Sequence, residues 1–297
     1  MFDYPVSIFK CLFFCNSEFS DRFLGLDADF TASTCAWAFE CYEKGLLSLN
    51  ETDNLRLEWG NSEAFIDLIK KIANREGIGD LLADGPLDAS KKVGKGSAYF
   101  VYHVKGQPSI EPMRIPKGWA LAVATSPVAG RHLRGATLGG GRFGPKEASF
   151  EPHVSEDQAK YVYWQGLTKE IEDILGICIY MGTWAGAYAL AVSDYVALVN
   201  SVTGLQISEK ELMTLGKKSR NLEKAFNTLH TGLDRQDDFP PMRIMKEPVK
   251  SGPYKGYQCD IEKWNEMLDE FYDLHGWDRD TGLQSLQGLQ DLGMGYC

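Results

Sequence analysis

The sequence predicts a mainly α protein built from two helical domains. Apolar residues of the first hundred positions recur at helical spacing between start and stop signals, and capping signals followed by apolar stripes return beyond residue 152. With 297 residues and 44% hydrophobic content, the chain is long enough to bury two cores.

The elements follow in order. Between residues 31 and 44, Cys35, Ala38, Phe39 and Tyr42 recur on one helical face, and Gly45 stands where a left-handed residue ends a helix. A second helix is predicted from Asn61 or Ser62, with acids in its first turn, Phe65, Leu68, Ile69 and Ile72 on one face, and a stop near Gly77. Residues 106–152 hold eight glycines and six prolines and sustain neither a helical nor a strand period, so they predict a long irregular segment. Beyond it, Ser155 with Gln158 and Ser208 with Glu211 fit the capping box. The helix after Ser208 carries Leu212, Leu215, Leu222, Ala225, Phe226 and Leu229 as a continuous stripe, and a last helix from Asp260 carries Trp264, Met267, Leu268 and Phe271 before Gly276.

The formal charge of −10 disfavours nucleic acid and anionic membrane surfaces as partners. Residues 174–193 run twenty positions without a charge, the length of a membrane span, but their glycines and missing basic flank predict a helix packed in the interior. The amino terminus fails as a signal peptide, having Asp3, Lys10 and no small-residue cleavage site. Seven cysteines at irregular positions fit reduced thiols or metal ligands in a reducing compartment, the cytoplasm, and not a secreted disulfide framework.

Chemistry concentrates in a few places. In residues 173–178, Asp173, Gly176 and Cys178 bunch at a helix end. A thiolate there ligates an iron-sulfur cluster, glycine lets backbone approach a flat ligand, and a carboxylate accepts from the amino groups of a heterocycle. A buried structural cysteine is the plainer reading of the same six residues. Gly25, Leu26 and Asp27 form a looser copy leading into a helix, whose alternative is an ordinary loop. His132 lies between Arg131 and Arg134 in the irregular segment, compatible either with proton handling beside anion-holding arginines or with a solvated loop histidine. The triple glycine 139–141 before Arg142 lacks the lysine and hydroxyl residue of a phosphate loop. Cys11 and Cys15, four apart, make two ligands at most, while Cys35 and Cys41 read as buried thiols. His103, His153, His230 and His275 show no ligand spacing.

At these residues, and at residues 40–47, 72–82, 103–106, 124–127, 221–227 and 272–277, the chain resembles the aldehyde ferredoxin oxidoreductase family of tungsten enzymes from about residue 21 to 295. The resemblance implies a helical second domain in part over residues 1–102 and a helical third domain with cofactor-facing loops over residues 103–297. It implies an oxidoreductase in which a tungsten ion held by two pterins (tungstopterin) oxidises an aldehyde to a carboxylic acid and a 4Fe-4S cluster passes the electrons to ferredoxin. By resemblance, Cys178 is the fourth cluster cysteine. Asp173, Gly176, Ile177 and Ile179 belong to one pterin-binding turn, and Gly25, Leu26 and Asp27 to the other. Arg134 lies on the cofactor side, and His132 is the histidine beside the metal that assists proton transfer or orients the substrate oxygen.

There are departures. The family's β-rich first domain, its Cys-x2-Cys-x3-Cys group and a glutamate near the metal would precede Met1. Arg22 stands where the first pterin turn has an acid, with Asp21 one place before it. One thiolate cannot hold a cubane cluster, so the chain is expected to be a truncated product, one part of a split enzyme completed by a separate amino-terminal subunit, or a noncatalytic pterin- or anion-binding relative. The surface around residues 106–152 and Cys178 is expected to be exposed and partly apolar.

Overall fold

In chain order the helices are α1 (Ala28–Glu43), α2 (Ser62–Asn74), α3 (Ile78–Leu82), α4 (Pro86–Val93), α5 (Lys117–Thr125), α6 (Gln158–Leu175), α7 (Val192–Thr203), α8 (Glu209–Thr231), α9 (Met242–Lys246), α10 (Ile261–His275) and α11 (Leu286–Asp291). These are seen in a computed structural model that describes residues 24–136, 157–183 and 190–295. The expected mainly α fold holds: the described strands are two short ones, β1 (His103–Val104) and β2 (Gln107–Pro108), paired as an antiparallel hairpin. The chain groups into two units, residues 1–110 with 241–258, and residues 111–240 with 259–297.

In the first unit, α1 begins three residues before the expected Thr31, because the Asp27 side chain accepts from the amide of Phe30 at 2.7 Å and caps the helix there. Its buried Cys35, Ala38 and Phe39 meet Phe65, Leu68, Ile69 and Ile72 of α2 in one core, as their spacing predicted. Asn61 caps α2 by accepting from Ala64, and the helix stops at Arg75 in the left-handed conformation, two residues before Gly77. Gly77 serves another need: a Cβ there would lie 1.9 Å from the Asp53 carboxylate, which accepts from the amide of Ile78 and from Lys71. Residues 241–258 rejoin this unit through Arg243, whose guanidinium donates to both carboxylate oxygens of buried Glu40 at 2.6 and 2.8 Å. The hairpin stays with α1, and an ion pair 203 residues apart in sequence brings back a segment that local pattern assigns to its neighbours.

In the second unit, α6 packs against α5, α8 and α10. The approach of α8 to α6 is closest at Gly216, where a Cβ would lie 2.6 Å from the carbonyl oxygen of Leu167. The Ser208–Glu211 capping box is present, with the Ser208 amide donating to Glu211 at 2.8 Å and the Glu211 amide donating to Ser208 Oγ at 3.3 Å. Helix α10 is capped by Asp260, buries Trp264, Met267, Leu268 and Phe271, and ends at left-handed Gly276, as expected.

Three expectations are corrected here. Residues 106–152 are not wholly irregular: they contain α5, every residue of which is buried, so no polar face exists to give a helical period. The stripe on α8 does not face the core beyond its first turn. Leu212 is buried, but Leu222, Phe226 and Leu229 are 56%, 63% and 81% exposed, because α8 seats itself through Leu212, Gly216, Arg220 and Asn221, a face carrying little hydrophobic signal. Residues 174–193 are not one interior helix, since α6 ends at Leu175, left-handed Gly176 begins a run of turns, and α7 starts at Val192. No helix among the described residues is long and apolar enough to cross a membrane. Cys11, Cys15, Asp21, Arg22, residues 139–142, His153, Ser155 and Cys297 lie outside the described residues.

Candidate functional site

The second unit brings His132, Arg134, Asp173, Gly176, Ile177, Cys178 and Ile179 onto neighbouring stretches of chain, while Gly25, Leu26 and Asp27 belong to the first unit. The loop carrying His132 is pressed onto α6. Gly135, at φ +125°, leaves no room for a Cβ, which would lie 3.0 Å from Cα of Gly166 and 3.4 Å from the carbonyl of Val162. One residue earlier, the Arg134 guanidinium donates to both Asp173 and Glu223, and Lys169 donates to the other oxygen of Asp173. Buried Arg220 donates to the Arg134 carbonyl at 3.2 Å and pairs with buried Glu170 at 3.4 Å.

Arg220 and Glu170 are buried, and Arg134 and Glu223 beside them are largely so. Burial, reinforced by the neighbouring Glu170, pushes Glu223 up to about 7 against the pull of Arg134 and Arg220. Asp173 keeps much of its side chain in solvent while meeting two cations, so a carboxylate of fixed orientation stands at the end of α6.

His132 is held on its other side. Its Nδ1 lies 2.6 Å from Oε1 of Glu111, whose Oε2 accepts from the indole Nε1 of Trp119 at 3.0 Å. The Trp119 ring stacks on the imidazole with centroids 4.9 Å apart and planes 23° from parallel. Glu111 and Trp119 are buried, whereas His132 keeps about a third of its side chain in solvent (32%). Both partners escaped the sequence reading, since a carboxylate 21 residues from the histidine has no spacing signal and an aromatic in an irregular segment has no face.

Beyond Asp173 the chain turns at Gly176, whose φ of +70° is the left-handed value and whose missing Cβ would meet nothing within 4 Å. Gly25 has the same character, at φ +67° with open space beside it. The two acid-glycine turns are nonetheless unlike in position. Gly25 precedes α1 with Asp27 as its cap, and Gly176 follows the end of α6.

Ile177 is half-buried, Cys178 exposed and Ile179 buried. The run of turns is tied back to α6 by Glu172, fully buried, whose Oε1 accepts from the amide of Thr183 at 2.7 Å, its hydroxyl at 2.9 Å and the hydroxyl of Tyr195 at 2.9 Å. Burial and the charge of Glu172 raise the Tyr195 phenol above its usual range, so it remains a donor. Glu172 was also missed: beside Asp173 it reads as one more surface acid of α6.

Cys178 is exposed, so the reading of a buried structural thiol does not apply to it. Cys35 and Cys41 are buried, and burial raises both thiols, Cys41 to about 12, which removes them as ready ligands. Among the described residues no group of three or more His, Cys, Asp or Glu side chains is placed to hold a metal ion. The expected exposed, partly apolar surface near Cys178 is present in Ile174, Tyr180 and Met181, at 49%, 65% and 66% exposure, with Val128 and Leu133 exposed on the His132 loop.

The family model described as aldehyde ferredoxin oxidoreductase, domains 2 and 3, matches residues 8–294. The chain is 34% identical over 275 residues to a tungsten-containing aldehyde ferredoxin oxidoreductase of Pyrococcus furiosus, covering 91% of this chain and 43% of that protein. It is 32% identical over 285 residues to the protein of the same name from Pyrococcus horikoshii, covering 94% and 44%. The chain thus spans less than half the length of the curated relatives it matches. Among solved structures, the active site complex BamBC of benzoyl coenzyme A reductase, in complex with 1,5-dienoyl-CoA, superimposes with a TM-score of 0.71 at 23% identity. The match covers 91% of this chain and 44% of that one, a likeness of fold.

Proposed function

The chain belongs to the aldehyde ferredoxin oxidoreductase family, a family of oxidoreductases, and from that premise we propose that it forms the helical part of an enzyme that oxidises an aldehyde to a carboxylic acid and passes the electrons through a 4Fe-4S cluster to ferredoxin. The observation that carries the reading is the pair of carboxylates at the end of α6: Asp173 pairs with Arg134, two residues from His132, and Glu172 accepts from Thr183 on the far side of the Cys178 turn.

Each of the two acid-glycine turns, taken by itself within its own unit, fits a pterin. Gly25 and Gly176 both hold left-handed backbone with open space where a side chain would stand, which lets a flat ring approach the peptide plane. Asp173, oriented by Arg134 and Lys169, is an acceptor for ring amino groups, and Ile177 and Ile179 flank the turn that carries Cys178. The bound tungsten-pterin supplies the two-electron oxidising centre. His132 transfers a proton at the hydrated aldehyde or orients its oxygen, and the Trp119 ring covers one face of the imidazole.

The residues present do not fit a whole cluster. Cys178 contributes one thiolate, and a cubane needs about four. The remaining ligands belong to a segment or subunit outside the described residues, and no step is assigned to a cluster held by this chain alone. The free thiols of Cys35, Cys41, Cys178 and Cys259 agree with a reducing, cytoplasmic setting. That Cys178 is the one exposed cysteine among the described residues also favours a second reading, a pterin- or anion-binding module without catalysis.

Aldehyde-dependent reduction of a viologen dye by the complex isolated without oxygen tests the proposal. His132→Asn is expected to abolish turnover while leaving tungsten content unchanged; unaltered turnover in that variant removes the proposed role of His132, and a complex without aldehyde-dependent turnover leaves the binding reading.

A further inference from the structure

We propose that Glu111 is the positioning residue of this site: it holds His132 with the ring proton on Nδ1, so that Nε2 meets the substrate as a proton acceptor and not as a donor. The inference rests on the reading of His132 as a proton-handling residue and decides which of its two roles it performs.

An indole nitrogen only donates, so Trp119 Nε1, 3.0 Å from Oε2, uses one oxygen of Glu111 as an acceptor. An ionised carboxylate only accepts, so Oε1, 2.6 Å from Nδ1 of His132, requires that Nδ1 carry the proton. Such a short contact is expected where the acceptor carries charge. Glu111 is buried and Trp119 sits within α5, every residue of which is buried, so the carboxylate is gripped from two directions. Stacking of the indole on the imidazole at 4.9 Å fixes the ring plane as well.

With Nδ1 committed, the neutral ring has its lone pair on Nε2, which has no hydrogen-bond partner among the described residues. When Nε2 takes a proton from a substrate or water hydroxyl, negative charge is left on that oxygen, and the imidazolium formed is balanced by Glu111. A carboxylate serving a histidine in this way recurs wherever a defined tautomer is required. The neighbouring arginine does not compete for that carboxylate through its paired nitrogens, since Arg134 donates to Asp173 and Glu223.

The test reads the tautomer directly and needs neither metal nor aldehyde. The full chain, labelled with 15N-histidine, is examined by long-range proton–nitrogen correlation at a pH where the ring is neutral, with His132 assigned by the loss of its signals in His132→Gln. The expected spectrum has a protonated Nδ1 and an unprotonated Nε2.

In Glu111→Gln one of the two oxygens becomes an amide nitrogen, which donates and cannot accept; with the remaining oxygen kept by Trp119 Nε1, the NH2 faces Nδ1 of His132. The nitrogen shifts should therefore move toward the Nε2-protonated form, while Trp119→Phe retains the native tautomer. An Nε2-protonated ring in the unsubstituted chain overturns the proposal, as does a Glu111→Gln spectrum identical to the original. Should Glu111→Gln fail to fold, the unsubstituted spectrum alone decides. A protonated Nδ1 in a chain that proves to have no oxidoreductase activity would leave this inference standing while the functional reading fell.

Discussion

Replacing Glu172 by alanine should loosen the Cys178 turn without unfolding the second unit. The carboxylate is fully buried and receives three donors, the amide and hydroxyl of Thr183 and the hydroxyl of Tyr195, at 2.7, 2.9 and 2.9 Å. Each donor left buried without an acceptor costs about 1–3 kcal/mol. The three together come to roughly 3–5 kcal/mol, because the loosened turn lets some of them reach water. A local opening of that size raises amide exchange by about two to four orders of magnitude, at tenfold for each 1.4 kcal/mol.

Hydrogen–deuterium exchange should therefore show Thr183 and residues 177–182 losing protection in Glu172→Ala, with α10 unchanged. Glu172→Gln, which keeps a neutral acceptor, should lie between the two, at a loss of about 1–2 kcal/mol. Unchanged exchange at Thr183 would mean that Glu172 does not hold the turn, and an equal rise across α8 and α10 that it supports the unit at large.

Two further outcomes are expected. Gly135→Ala should destabilise the second unit by about 2 kcal/mol or more, since its Cβ would meet α6 at 3.0 Å in a backbone conformation that L-residues avoid, whereas Gly166→Ala, with its nearest contacts at 3.8 Å, should be neutral or stabilising by up to about 1 kcal/mol. Equal urea midpoints for the two variants would contradict the close packing of the His132 loop on α6. The second concerns Glu223, raised in the folded state to about 7 from an unfolded value of 4.5, so the native chain binds more protons between those values. Its contribution is fully present below about pH 4.5 and is lost as pH rises through about 7, by at most about 3 kcal/mol, and less because part of the side chain remains in solvent. Urea unfolding between pH 5 and 8 should show this decline, and Glu223→Gln should flatten it; an unchanged slope would place the carboxylate's protonation elsewhere.

Much of the helical framework was legible because local rules and burial agreed. Asn61, Ser208 and Asp260 cap the helices they were expected to cap, and the apolar faces of α1, α2 and α10 point where their spacing says. What could not be read involves groups whose partners are distant in sequence or whose burial is polar. Helix α5 is buried all round and so has no period, and α8 is seated by Gly216 and Arg220, leaving its apolar stripe outward. At the site, the family motif pointed to Arg134, Asp173 and Cys178, but neither the ion pair of Arg134 with Asp173 nor the hydrogen bonds by which Glu172 holds the Cys178 turn had a local signal. Glu111 and Glu172, 21 and 11 residues from the groups they hold, had no signal at all.

Whether the chain furnishes one part of a tungsten-pterin and iron-sulfur oxidoreductase, as proposed, is decided by the metal content of the chain isolated without oxygen, together with any polypeptide that accompanies it, beside a Cys178→Ser variant. The expected content is about one tungsten and about four iron atoms per complex, with iron lost and tungsten retained in the variant. Metal-free protein from the unsubstituted chain, or iron content indifferent to Cys178, would contradict it.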